Sequence, residues 1–302
     1  MTVKIGVIDY LNVQPLYYRI EERLKGKDVE YVYGVPTTLN QALIQGEIDI
    51  APISAIESAR HADELVIIPH LGIATWGAVK TVLLFSWFPD PAELDNMSIA
   101  LTDHSATSVA LLKILCSDYY RIQPRYVVHP QHLEKMLTAH AAALLIGDDA
   151  LIEGTLRRPI AHRGVPYVFD LGDEWLKWTG LPFVFALWSA RRDRLEVIAQ
   201  NGIVEALYDS KAEGLQHLDR IAKDYAPRLG LEPGVCLKYL RDLRYDLTLD
   251  DLAGLIRFLT LTLPDFRPED LHLWQPGWNT PVPLLEIFPA PNRRPNRAGY
   301  LM

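Results

Sequence analysis

Val3-Lys-Ile-Gly-Val-Ile-Asp-Tyr-Leu-Asn-Val-Gln-Pro15 opens as an apolar run, breaks in a polar loop at Asp9, and resumes as a helical start. The run Val3–Ile8 reads as a buried strand. Asn12 then serves as the expected cap, with Pro15 early in the helix that follows. The same strand–loop–helix unit recurs down the chain. Val29–Val35 is a second strand, Leu39, Ala42 and Leu43 fall at helical spacing, and Ile48–Ala51 is a third strand. Ser54 opens another helical turn, and Val66–Pro69 and Lys80–Phe85 are further strands. This alternation predicts βαβ units and a mostly parallel sheet.

The next ninety or so residues repeat the pattern. Ser98–Leu101, Tyr126–His129, Ala142–Ile146, Tyr167–Asp170 and Phe183–Trp188 read as strands, with helices expected over 105–115 and 131–138. Two similar lobes follow, joined where the chain crosses at Leu84–Trp87 and again at Phe185–Trp188. Beyond Trp188 the pattern is helical. Gly202 weakens the first helix, and Thr248-Leu-Asp-Asp251 resembles a capping box. From Pro276 onward there are six prolines and no period. The expected division is residues 1–86 with 189–275 as a first lobe carrying a helical wrap, 87–188 as the second lobe, and 276–302 as an extended tail.

The whole chain has 302 residues, 38 acidic and 30 basic side chains, and a formal charge of −8. It is too apolar for disorder and long enough for a sizeable core. Net acidity argues against nucleic acid as a partner. The two cysteines, Cys116 and Cys236, have no metal spacing and suggest no disulfide scaffold. No apolar run is long enough to span a membrane, and the N-terminal segment has no leader pattern, so the expected compartment is the cytoplasm. Monomer and homo-oligomer are both open.

In open α/β sheets ligands sit at the carboxyl ends of strands. Those ends are Asp9–Asn12, Pro52–Ser54, Thr102–Ser108 and Gly147–Asp149, with Ser86 beside the first crossing. Small hydroxyls and free N–H groups at helix starts suit a carboxylate ligand. Capping alone also accounts for any one of Asn12, Ser54 or Ser105. His104 could be a general base or a packing residue. Asp148 and Asp149 could hold a substrate hydroxyl or cap a helix. No nucleophile elbow, metal-ligand pair, phosphate loop or dinucleotide fingerprint is present, so no cofactor and no metal are expected. These patterns end at a two-lobed α/β protein with a small-molecule cleft, enzyme or binding protein.

Several segments carry a resemblance. They are Gly6–Pro15, Val35–Leu43, Gly46–Ala51, Ser54–Glu57, Val82–Ser86, Ala100–Thr102 with Thr107–Val109, Ala143–Asp148 and Thr179–Ala186. Through them the chain resembles the chorismate dehydratase family of the futalosine route to menaquinone. The resemblance implies a periplasmic-binding-protein-like type II fold with two hinge crossings and a C-terminal helical segment. It implies chorismate, a dicarboxylate, as the substrate, and elimination of water to give 3-[(1-carboxyvinyl)oxy]benzoate. Asn12 and Ser86 match family cleft positions and are the expected catalytic pair. Ser54, Thr107, Ser108, Gly147 and Asp148 are the expected substrate contacts. No loop offers an obvious base other than His104, which suggests that the substrate's enolpyruvyl carboxylate takes the proton. Trp76, where many relatives have small residues, is expected to reshape the cleft edge. One alternative is an enzyme resembling 1,4-dihydroxy-6-naphthoate synthase, though Gly147-Asp-Asp149 stands where that family carries a histidine. Another is a small-carboxylate-binding protein without catalysis.

Overall fold

The computed structural model of the chain describes residues 1–160 and 163–287. Its strands are β1 (Val3–Val7), β2 (Val29–Tyr33), β3 (Ile50–Ser54), β4 (Leu65–Thr75), β5 (Val82–Ser86), β6 (Ser98–Thr102), β7 (Arg125–His129), β8 (Ala142–Ile146), β9 (Tyr167–Asp170), β10 (Phe183–Arg191), β11 (Leu243–Arg244), β12 (His272–Leu273) and β13 (Val282–Pro283). They form two sheets. The first runs β13-β12-β4-β10-β3-β1-β2, with β11 also on β4, and the second runs β7-β6-β8-β5-β9. Both are α/β layers. Strands β3, β5 and β8 are buried along their whole length, which explains their unbroken apolar sequences.

The sheets are mixed, not mostly parallel. β1 pairs parallel with β2 and β3, but β10 runs antiparallel to β3 and β4. In the second sheet β6 is parallel to β7 and β8, while β5 is antiparallel to β8 and β9. The passages between sheets are residues 76–81 and 171–182, not the expected Leu84–Trp87 and Phe185–Trp188. β5 lies wholly in the second sheet and β10 wholly in the first. Each is the first strand after a passage, and each runs against its neighbour. A buried apolar pentapeptide such as Val82–Ser86 carries no mark of which sheet it joins.

The helical segment after β10 packs back on both lobes. Gly202, at φ 67°, separates helices Leu195–Gln200 and Ile203–Gln216. Helix Leu218–Leu229 continues past Pro227 and closes at Gly230. Helix Leu249–Thr262 begins with the expected capping box between Thr248 and Asp251. It fits so closely against the second passage that a side chain at Gly254 would meet the Pro182 carbonyl at 2.0 Å. Of the expected extended tail, Val282–Pro283 instead pairs with β12, and Leu284–Ile287 makes a helical turn. Residues 288–302 lie outside the described residues. Both cysteines are free and buried. Among the described residues, no helix is long and apolar enough to cross a membrane.

Candidate active site

Between the two sheets lies a narrow cavity of about 70 Å³, tighter than the usual small-molecule site. The first lobe contributes Tyr10, Asn12 and Val13 after β1, Pro36 after β2, and Ser54 at the end of β3. The second contributes Ser105 and Ser108 after β6, Gly147 after β8, and Thr81 with Val82 at the start of β5. Ile73, Phe185 and Ala186 supply part of the apolar wall. No lining residue carries a charged side chain.

Asn12 is in the cavity, but not as a cap. It sits inside the short 3₁₀ helix Leu11–Tyr17, whose N-cap is Tyr10. Its Oδ1 is buried with no hydrogen-bond partner among the described residues. A buried amide oxygen without a partner costs free energy unless a ligand or water satisfies it. The carboxamide is therefore set for a guest.

Ser54 and Ser108 also line the cavity. Ser54 accepts from Asn40 Nδ2 at 3.1 Å and donates its N–H to Asn40 Oδ1 at 3.0 Å. These bonds leave its hydroxyl proton free. Ser105, missing from the expected contacts, caps helix Ala106–Ile114 by accepting from Ser108 N at 3.1 Å. Its hydroxyl donates to Ser108 Oγ at 3.0 Å. The free N–H groups of that helix start suit an anion.

Gly147 is in the wall with φ 66°, and an added Cβ would lie 2.7 Å from the Tyr10 ring. The absence of a side chain there allows Tyr10 to cross from one lobe onto the other. Tyr10 and Thr81 are the other residues that the sequence reading missed. Tyr10 stood inside the quoted first segment, but an aromatic ring reads first as core. Thr81 precedes an apolar strand and has its hydroxyl 3.0 Å from Tyr239 Oη.

Ser86 is not in the cavity. Its partner in β8 is Ala142, whereas Val82 pairs with Ile146 at the end that faces the cleft. β5 runs antiparallel to β8, so its carboxyl end points away from the site. Ser86 is fully buried, and its Oγ accepts from Phe88 N at 2.9 Å. That is a turn contact.

Thr107 and Asp148 also stand outside the lining, and both tie the lobes together. Ile56 N–H donates to Thr107 Oγ1 at 3.2 Å. Leu11 N–H donates to Asp148 Oδ1 at 3.0 Å, and Tyr225 Oη donates to Asp148 Oδ2 at 3.0 Å. Burial pushes the Asp148 carboxyl up to about 6, against the lowering effect of those two donors. Thr37 Oγ1 donates to the Asp103 carbonyl at 3.0 Å, another link across the lobes. Asp149 faces Gln131 instead. His104 lies just behind the wall, its Nδ1 3.4 Å from Tyr10 Oη. Trp76 is half exposed beside Arg244 and does not line the cavity.

Comparison with known proteins agrees with this architecture. Residues 3–263 match the model of a family described as menaquinone biosynthesis. The chain is 36% identical over 275 residues to a chorismate dehydratase of Thermus thermophilus, covering 87% of this chain and 96% of that protein. It is 34% identical over 189 residues to a chorismate dehydratase of Campylobacter jejuni, covering 61% and 66%. Among solved structures it resembles an Archaeoglobus fulgidus protein (TM-score 0.68, 19% identity, 86% and 96% covered). It also resembles the periplasmic aliphatic sulphonate binding protein SsuA of Escherichia coli (TM-score 0.62, 17% identity, 91% and 92% covered). These likenesses show a periplasmic-binding-protein-like fold.

Proposed function

The chain belongs to the menaquinone-biosynthesis family matched by residues 3–263, and from that premise we propose that it dehydrates chorismate to 3-[(1-carboxyvinyl)oxy]benzoate. Two relatives named chorismate dehydratase support the substrate. The observation that carries the mechanism is the cavity wall: neutral hydroxyls, helix-start amides and the Asn12 carboxamide, with no charged side chain. Such a wall can hold two carboxylates through N–H and O–H donors. It offers no carboxylate, imidazole or amine to remove a ring proton.

The substrate supplies the missing base. The hydrogen to be lost sits on the ring carbon that bears the enolpyruvyl ether. The carboxylate of that ether reaches it through a six-membered arrangement. The C–H electron pair becomes the third ring double bond, and the hydroxyl leaves from the adjacent carbon. Aromatisation supplies the driving force, and the enzyme supplies a fixed geometry. Asn12 orients the enolpyruvyl carboxylate through its Nδ2–H donors, because its Oδ1 can only accept. Ser54, Ser105 and Ser108 hold the other end of the substrate. As an enzyme of this kind, the protein is a carbon–oxygen lyase.

The test begins with purified protein and chorismate. The diene absorbance should fall as an aromatic product forms, and Asn12→Ala should lower kcat/KM by about 100-fold or more. No turnover of chorismate by the native chain would overturn the dehydratase reading. Chorismate esterified at the enolpyruvyl carboxylate should bind without reacting. Its turnover at the native rate would overturn the substrate-base reading alone.

A further inference from the structure

Loss of the ring hydroxyl needs a proton as much as loss of the ring hydrogen needs a base. Hydroxide is a poor leaving group, and a positioned acid converts it to water. Among the cavity hydroxyls, Ser105 already donates to Ser108 Oγ. Thr81 is tied to Tyr239 Oη at 3.0 Å. Tyr10 is the hydroxyl of this wall that touches an imidazole, with His104 Nδ1 at 3.4 Å. On its far side, His104 Nε2 lies 3.5 Å from Asp103 Oδ1. The loop is held in place by His104 N–H donating to Thr102 Oγ1 and by Thr37 binding the Asp103 carbonyl. With its proton on Nδ1 the ring donates to Tyr10 Oη and leaves the phenol O–H free for the cavity.

The geometry points to Tyr10 as the general acid for the departing hydroxyl, with His104 as the positioning residue that restores its proton. This rests on the dehydration reading above and deepens it. The Tyr10 O–H proton passes to the ring hydroxyl as the C–O bond breaks, and water leaves. The phenolate oxygen takes the Nδ1 proton of His104, whose partly exposed ring regains one from solvent. The ring hydrogen goes to the enolpyruvyl carboxylate and then to solvent, so one water is lost and no proton is left over. Burial and the neighbouring Asp148, Asp149 and Asp103 raise the Tyr10 pKa, which keeps the phenol protonated and makes it depend on the His104 proton when it gives up its own. His104 reaches the cavity only through Tyr10. The pair joins only when the lobes are shut, because Tyr10 belongs to the first lobe and His104 to the second.

A chorismate analogue with fluorine in place of the ring hydroxyl separates this role from a structural one. Fluoride departs without prior conversion to water, and its release is read with an ion electrode. Tyr10→Phe should lower kcat on chorismate about 100-fold or more, with chorismate affinity within about threefold. The same variant should release fluoride at close to the native rate. His104→Gln should follow the same pattern with a smaller loss on chorismate. Equal losses on both substrates, or no loss on chorismate, would overturn the assignment. If Tyr10→Phe does not fold by circular dichroism, the His104→Gln comparison decides alone. Failure of the native chain on both substrates would instead count against the dehydration reading.

Discussion

Asp148 bears the cost that closing the cavity imposes on a charged group. Its folded pKa is about 6 against an ordinary 3.8, with burial as the main cause. The folded chain therefore keeps this proton between pH 4 and 6, where the unfolded chain has lost it. Stability from this group falls as pH rises through that window and is level above it. At pH 8 the cost is up to about 3 kcal/mol. Asp148→Asn retains an acceptor for Leu11 N–H and removes the charge. It should raise Tm at pH 8, leave Tm unchanged near pH 3, and keep turnover within about tenfold. A lower Tm at pH 8 would mean that the bonds from Leu11 and Tyr225 outweigh the burial cost. The sequence marked Asp148 because it ended a strand, but could not separate a ligand contact from a latch. Asn12 was legible by type and position, whereas its unpartnered oxygen depends on a short 3₁₀ helix that places Tyr10 at the cap.

At the scale of single elements, the misread residue is Ser86. The rule that ligands gather at carboxyl ends holds for β1, β3, β6 and β8 and reverses for the antiparallel β5. Direction is set by the partner strand, and Val-Leu-Leu-Phe-Ser contains nothing about its partner. The same reversal hid Thr81, which stands at the amino end of β5 and lines the cavity. Local signals fared better where the chemistry is local. The Thr248–Asp251 capping box and the break at Gly202 both formed where the residues required them. Ser86→Ala then gives a sharp expectation. It should leave kcat/KM within about threefold of native, because the hydroxyl faces Phe88 N–H and not the cavity. It should cost about 1–3 kcal/mol of stability through the amide left without an acceptor, read from denaturant unfolding. A hundredfold loss of activity with unchanged stability would restore Ser86 to the site.

The whole molecule is shut, and its closure is made of bonds that only a three-dimensional arrangement reveals. Thr37 meets residue 103, Ile56 meets Thr107, and Leu11 meets Asp148, pairs separated by 66, 51 and 137 positions in the chain. Alternating strands and helices predicted two lobes, but no periodicity encodes which amide on one will find which oxygen on the other. Thr107 is the cleanest probe of this equilibrium, since it lies outside the cavity and its hydroxyl accepts across the lobes. Thr107→Val preserves shape and leaves Ile56 N–H without an acceptor in the closed form. The open form can give that amide to water, so the variant shifts the population towards open. When the competent state is only a fraction of the total, apparent affinity falls by that fraction. KM for chorismate should therefore rise about tenfold, with kcat within about threefold, because saturating substrate draws the lobes shut again. Small-angle scattering should show a larger radius for the free variant than for the free native chain. Saturation with the aromatic product should bring the two together. A fall in kcat with unchanged KM and unchanged scattering would place Thr107 in the chemical step and not in closure.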